Sequence, residues 1–223
     1  MKKNNMKMQY YSQDHQDEFL HKNVFKNLWD GYFVDVGSHD GVTINNTLFF
    51  EKNYKWTGIN VEPIESVYSQ LIINRPNCIN LNCAVNNEDG FSEFILNKGY
   101  TEMISGLKSE FDPRHSNRLS QELSCYGGST EIISVKTKRL ETIFAENNVK
   151  HVNYLSIDVE GAEFEVIKSI NFDKVFIDVI GFENNYKDQG LKVKNYLEEK
   201  GYVLLYESMD IFMIHTKSIF YVK

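Results

Sequence analysis

Tyr32-Phe-Val-Asp-Val-Gly-Ser-His-Asp-Gly41 is the stretch on which the reading of the fold turns. Tyr32–Val36 is a short apolar run closing on Gly37, the pattern of a strand buried on both faces. A helix is expected over Thr43 to Lys52, then a second strand at Thr57–Val61. Pro63 can open the next helix, which runs through Tyr68 and Leu71, and Cys78–Val85 reads as a third strand. Strands alternating with helices at this spacing predict a parallel sheet with right-handed crossovers.

Working outward, residues 12–29 carry Phe19, Leu20, Val24, Phe25 and Leu28 at helical spacing. Beyond the third strand, Asn97–Thr130 is polar and aperiodic and reads as an inserted loop or lid. Glu131–Thr137 alternates like an exposed strand, and Leu140–Asn147 returns to helix. Val152–Val159 and Val175–Phe182 are a fourth and a fifth parallel strand, followed by helices over Ala162–Ile170 and Leu191–Lys200. Tyr202–Glu207 and Ile211–His215 are joined too closely for a crossover and should pair antiparallel. Phe220-Tyr221-Val222 could add an edge strand, and through it a homo-oligomer. The 223 residues are expected to form one domain.

The chain has 24 basic and 31 acidic residues, a net charge of −7. It lacks the broad basic footprint of a nucleic-acid binder, so no nucleic-acid partner is expected. Cys78, Cys83 and Cys125 have neither zinc spacing nor an even count for disulfides. No apolar h-region follows the basic start, and no apolar run is long enough to span a bilayer. A cytoplasmic protein without a membrane partner is the expectation.

Ligands of open α/β sheets bind beyond the carboxyl ends of the strands. Gly37 allows a sharp turn and a close backbone approach there, and Gly41 relieves crowding where the next helix begins. Asp35 and Asp40 make this loop acidic, which suits a cofactor with a cationic amino-acid end, Asp40 accepting from an ammonium or a water. The G-x-G-x-x-G of dinucleotide folds is absent, which argues against a nicotinamide oxidoreductase. Glu62 ends the second strand 21 positions after Gly41, where a carboxylate can accept both hydroxyls of a ribose. Cys83-Ala84 would border an adenine by position, although packing explains them equally well.

These residues carry a resemblance. Ser12-Gln13 with Gln16-Asp17, Phe33 through Gly41 with Asn46-Thr47, Trp56 through Pro63 with Arg75-Pro76, Leu155-Ser-Ile-Asp-Val-Glu-Gly-Ala-Glu163 and Phe182-Glu-Asn184 resemble, in order, the blocks of the FkbM-type methyltransferases. The resemblance implies a Rossmann-like class I methyltransferase fold: a mostly parallel seven-stranded sheet, helices on both faces and a C-terminal antiparallel hairpin. It implies S-adenosylmethionine as donor and O-methylation, often of a sugar, glycan or other small molecule. It adds Gln13, Ser38, Asn46, Thr47 and Pro63 to the expected cofactor contacts. Ser38-His39 stands where the family often has Ala-Asn.

Methyl transfer to an alcohol requires alignment of the acceptor and removal of its proton. Asp158 ends the fourth strand and also borders the cofactor, Glu160 faces the same way if the backbone stays extended, and Glu183 and Asn184 end the fifth. Two chemistries fit. Asp158 or Glu160 could act as general base, its pKa raised by neighbouring carboxylates such as Glu183. Alternatively, Asp158, Glu183 and Asn184 could hold Mg²⁺ or another divalent cation that acidifies the hydroxyl. His39 and His115, and Tyr100, Phe111, Tyr126, Arg114 and Arg118 of the insert, could approach the acceptor. Competing readings are a lipid, peptide or phenolic acceptor, or a catalytically silent module that only binds the cofactor.

Overall fold

Eleven strands are present among the described residues, 8–222 of the computed structural model. The basic start at residues 1–7 lies outside them. In chain order they are β1 (Tyr32–Val36), β2 (Thr57–Val61), β3 (Ile79–Leu81), β4 (Ala84–Val85), β5 (Gly90–Lys98), β6 (Gly106–Leu107), β7 (Ser129–Lys138), β8 (His151–Ile157), β9 (Phe176–Glu183), β10 (Tyr202–Glu207) and β11 (Asp210–His215). The helices are α1 (Gln16–Leu20), α2 (Leu48–Tyr54), α3 (Glu65–Asn74), α4 (Pro113–Tyr126), α5 (Leu140–Glu146), α6 (Glu163–Lys168) and α7 (Lys187–Glu199).

The main sheet has seven strands in the order β10-β11-β9-β8-β1-β2-β3. Strands β3, β2, β1, β8 and β9 run parallel, and β11 pairs antiparallel with both β9 and β10. This is the mostly parallel sheet with a terminal hairpin that the sequence predicts. Side chains alternate across it. Phe33, Tyr154, Val179 and Phe212 face one layer with Leu20 and Phe25 of the N-terminal segment and Phe49 and Phe50 of α2. Their neighbours Val34, Leu155, Ile180 and Met213 face the other, packed on α5, α6 and α7. Both faces are therefore covered, which explains why the strands read as continuous apolar runs.

Local chemistry moves several boundaries. Residues 12–29 give only α1 and a π-helical turn over His21–Phe25. Helix α2 starts at Leu48 rather than Thr43, because Asn45 Oδ1 accepts the N–H groups of Thr47 and Leu48 at 3.0 and 2.9 Å and caps the helix there. The expected third strand is two: β3 ends the main sheet, while β4 joins a second sheet of order β4-β7-β5-β6. Residues Phe220–Val222 add no strand; Phe220 packs edge-on against Phe25 with ring centroids 5.2 Å apart.

The largest departure concerns residues 97–130, expected as a loop. They supply the ends of β5 and β7, a 3₁₀ turn (Gly99–Ile104), β6 and the 14-residue α4. Asp112 caps α4 by accepting the Arg114 N–H at 2.7 Å, with Pro113 at the first helical position. A small apolar cluster of Ile64, Val67, Ala84, Phe94, Leu107, Val135 and Ala162 seats the second sheet on the main one.

Two charged side chains are fully enclosed among the described residues, Asp17 and Arg75. Arg75, at the end of α3, is 0% exposed. Its Nε pairs with Glu51. Nη1 donates to Gly41 O at 3.0 Å and Asn45 Oδ1 at 3.1 Å, and Nη2 to Thr47 Oγ1 at 3.1 Å. Thr47 Oγ1 and Asn45 Nδ2 in turn donate to Asp35 Oδ2, each at 2.9 Å. Removing one member of such a network strands the others in a dry interior. Arg75→Met is expected to destabilise the protein by about 3–5 kcal/mol in urea unfolding followed by circular dichroism; a loss below about 1 kcal/mol would show that the network is no more than surface-like.

Candidate active site

The carboxyl ends of the parallel strands open into a cleft of about 570 Å³, within the size range of small-molecule sites. Its floor comes from the residues that follow β1, β2 and β8 and from the end of β9: Gly37, Glu62, Asp158 and Glu183. Its roof comes from the insert, through Tyr100, Glu102, Met103 and Ile104 of the 3₁₀ turn and Arg118 and Glu122 of α4. Gln13 reaches it from the N-terminal segment. That segment is pinned by buried Asp17, which accepts the Tyr11 N–H at 2.6 Å and the Ser12 hydroxyl at 2.6 Å.

Gly37 is required by close approach. With φ 83°, a Cβ there would stand 1.8 Å from the Asp158 carbonyl oxygen, so β1 and β8 can draw together only at glycine. Glu62 is 4% exposed. Its oxygens accept the N–H groups of His39 at 3.1 Å and Ile64 at 2.7 Å. Burial pushes its pKa up to about 7 against those two hydrogen bonds, and the charge of Glu102 adds to the rise. Pro63, Ile64, Cys83, Ala84 and Val85 form the adjoining, mostly apolar wall.

At the other end, carboxylate oxygens of Asp158, Glu160 and Glu183 lie within 4.8 Å of one another. Asp158 opens toward the cleft, while Glu160 and Glu183 are half-buried. Loss of water raises all three pKa values; neighbouring charges raise them further, those of Asp210, Glu163 and Asp35 at Asp158, and that of Asp158 at both Glu160 and Glu183. The cluster therefore retains protons at pH values where ordinary carboxylates are ionised. Asp210, opposite Glu183 across the β9–β11 ladder, adds its own charge. It accepts from Gln16 Nε2 at 2.8 Å. Asp210 is not singled out by the sequence pattern, although its place at the head of β11 fixes it beside the end of β9.

Several expected site residues take other places. Asp40 does not line the cleft: its oxygens accept from the N–H groups of Val42 and Thr43 at 2.8 and 2.7 Å and from the Thr43 hydroxyl at 2.7 Å, closing its own turn. Asp35, Thr47 and Gly41 belong to the Arg75 network behind the loop. Ser38 donates to Val61 O at 3.3 Å, and Asn46 to Ser156 Oγ at 3.2 Å. These residues shape the loop, whereas Gln13, Gly37, Glu62, Pro63, Cys83, Ala84 and Asp158 face the cavity.

Glu160 does not continue an extended strand. It sits at φ 56°, followed by Gly161 at φ 114°, and the turn brings its carboxylate back toward Asp158. The amide of the cluster is Asn185, not Asn184. Asn185 Nδ2 donates to Glu183 Oε2 at 2.5 Å and Glu160 Oε2 at 3.3 Å. Asn184 lines neither this cleft nor the smaller cavity beside α7, and its Oδ1 lies against Gly190, 2.1 Å from where a Cβ would stand. His115 is buried behind the cluster, its Nδ1 3.7 Å from Glu160 Oε2 and its ring edge-on to Phe111. Arg114 points elsewhere, onto Tyr186 and Asp188.

The set of groups suits a ligand with an apolar base, a hydroxylated sugar and a positive charge, next to proton-accepting carboxylates. No helix among the described residues is long and apolar enough to cross a membrane.

Comparison with known proteins places the chain in a family and a fold. The sequence profile of the Methyltransferase FkbM domain matches residues 35–204. Methyltransferase 1 of Beauveria bassiana (strain ARSEF 2860) is 25% identical over 222 aligned positions, which cover 86% of this chain and 84% of that protein. The crystal structure of methyltransferase FkbM from Methylobacillus flagellatus KT superposes with a TM-score of 0.51 over 92% of this chain at 11% identity. That likeness is one of fold, and this chain spans 56% of the length of that one. The β1 loop, the buried acid after β2 and the acid cluster after β8 all fall inside the matched region, and the chain belongs to the FkbM methyltransferase family.

Proposed function

We propose that the chain transfers a methyl group from S-adenosylmethionine to a hydroxyl of a neutral, hydroxyl-rich small molecule, such as a sugar or glycan. The observation that carries this reading is the shared cleft, in which the buried Glu62 and the open Asp158 face one cavity from neighbouring strand ends. Bound S-adenosylmethionine would supply an electrophilic methyl group on a cationic sulfonium. Glu62 has oxygen lone pairs left for ribose hydroxyls after its two backbone contacts. Ile64, Ala84 and Val85 offer an apolar surface for adenine.

Proton removal falls to the carboxylate cluster. Asp158, the member open to the cleft, takes the hydroxyl proton as the O–C bond forms and the S–C bond breaks. Loss of water first, and then the charges of Asp210, Glu163 and Asp35, keep its basicity above that of a solvated carboxylate, against a hydrogen bond with Glu183 that lowers it. Glu160 and Glu183 are tied together beside it by Asn185. The charge of the cavity supports a neutral acceptor. Glu62, Glu102, Glu122, Asp158, Glu160 and Glu183 line it, and its one arginine, Arg118, is already paired with Glu122 at 2.8 Å. A phosphate or carboxylate beside the reacting hydroxyl would meet no unpaired arginine or lysine in this lining. Tyr100 and Tyr126 form a tilted pair with ring centroids 4.2 Å apart and are exposed near the roof, where aromatic faces suit a sugar ring.

Calorimetry with S-adenosylhomocysteine should show binding to the wild type that weakens by about 1–3 kcal/mol in Glu62→Ala. No binding by folded wild-type protein would overturn the proposal. Asp158→Asn should lower methyl transfer about 10²–10⁴-fold while the affinity for S-adenosylhomocysteine stays close to wild type. Because the base must be ionised and its pKa is raised, the wild-type rate should climb with pH, with its inflection well above the ordinary carboxylate value of about 4. A rate that is flat from pH 5 upward would remove Asp158 from this role. The three converging carboxylates also fit a hard divalent cation. Under the general-base reading EDTA leaves the rate unchanged; loss with EDTA and recovery with Mg²⁺ would replace that reading by metal assistance.

A further inference from the structure

Among the described residues, one hydrogen bond bridges the cleft from the β1 loop to the roof. His39, at φ 50°, donates its N–H to Glu62 Oε2 at 3.1 Å. Its ring places Nε2 3.3 Å from Glu102 Oε1 in the 3₁₀ turn of the insert. Both side chains line the cavity.

The two sides of this contact are held in different ways. The roof is anchored without His39: Ser105 Oγ donates to Glu102 O at 2.6 Å, Asn97 Nδ2 to Ile104 O at 2.9 Å, and Thr130 Oγ1 to Asn97 Oδ1 at 2.8 Å. The His39 ring, in contrast, has no hydrogen bond within its own loop. Its Nδ1 is buried without a hydrogen-bond partner among the described residues. The nearby Asp40 Oδ1, 3.7 Å away, already accepts the N–H groups of Val42 and Thr43. The hydrogen bond that orients this ring is therefore the one to the roof.

We infer that His39 and Glu102 form a clasp that holds the insert against the cofactor loop and retains the nucleoside beneath it. This rests on the methyltransferase reading. His39 is tied by its backbone to the acid assigned to the ribose and by its ring to the roof. Moving the roof aside to release a nucleoside must break the clasp. The pair is partly exposed, at 22% and 38% for the two side chains, which limits it to a modest contribution. Its effect belongs to the rate of ligand release, not to the chemical step.

The test is the dissociation rate of S-adenosylhomocysteine, followed by stopped-flow competition. It compares the wild type with His39→Ala, Glu102→Ala, the double variant and Glu102→Gln. Each alanine variant should release the ligand about three- to five-fold faster. The double variant should be no faster than either single one, as expected of two partners in one contact. Glu102→Gln keeps an acceptor oxygen and should stay near the wild type. Unchanged or additive rates in variants that melt like the wild type would overturn the clasp, and if His39→Ala melts early, the two Glu102 variants decide alone. Wild-type protein that fails to bind S-adenosylhomocysteine overturns the methyltransferase reading together with the clasp, whereas tight binding with unaltered release removes the clasp alone.

Discussion

The guanidinium of Arg75 is the constraint on which the ligand end of this protein depends. It lies wholly out of water, so its donors need acceptors, and four of its five N–H groups find them in Glu51 of α2 and in the loop after β1. That arrangement joins α3, α2 and the loop into one unit and presents Gly37 at the edge of the cleft. Desolvating such a group costs several kcal/mol, so the network is better understood as fixing the shape of the loop than as a source of net stability. The loop's shape then sets the positions of Glu62, through the His39 N–H, and of Asp158, whose carbonyl lies against Gly37.

The acid cluster depends on similar enforcement. Three carboxylates would separate if free, yet strand ends and hydrogen bonds hold them together. Glu160 accepts a left-handed backbone, a conformation that costs about 1–2 kcal/mol for a residue with a side chain. Asn185 binds two of the acids, and His115 stands behind one of them. The insert is thus part of the site's construction. It carries His115 and Arg118 on one helix and the roof residues on the turn before it.

The parallel sheet was legible because strands buried on both faces must be apolar and must end where the chain turns. Tyr32–Val36 and Thr57–Val61 were read with their observed limits for that reason. The insert was not legible. Helix α4 buries only His115 and Leu119, and β5 and the start of β7 are largely exposed, so few apolar positions mark these elements. At the site, Glu62, Asp158, Glu160 and Glu183 could be recognised as acids at strand ends. The exchange of Asn184 for Asn185 reflects a limit of such reading: one position past a strand end turns a side chain to the other side. Asp40 was misplaced because a short acid in a tight turn can satisfy its own backbone, and no pattern in the neighbouring residues distinguishes that from binding.

The hydrogen bond from Gln16 to Asp210 joins residues 194 positions apart, and it does so at the edge of the acid cluster. A growing chain emerges from its amino terminus and can begin to fold as it does. The strands β1, β2, β8 and β9 can pair before β11 exists, but Gln16 then has no Asp210 to bind, and Glu183 lacks its neighbour across the ladder. The pocket is therefore finished by a segment made long after its first strands. A chain cut short of the final hairpin would keep most of its sheet and lose the closed floor, so assembly of the centre itself reports that the polypeptide is whole through that strand.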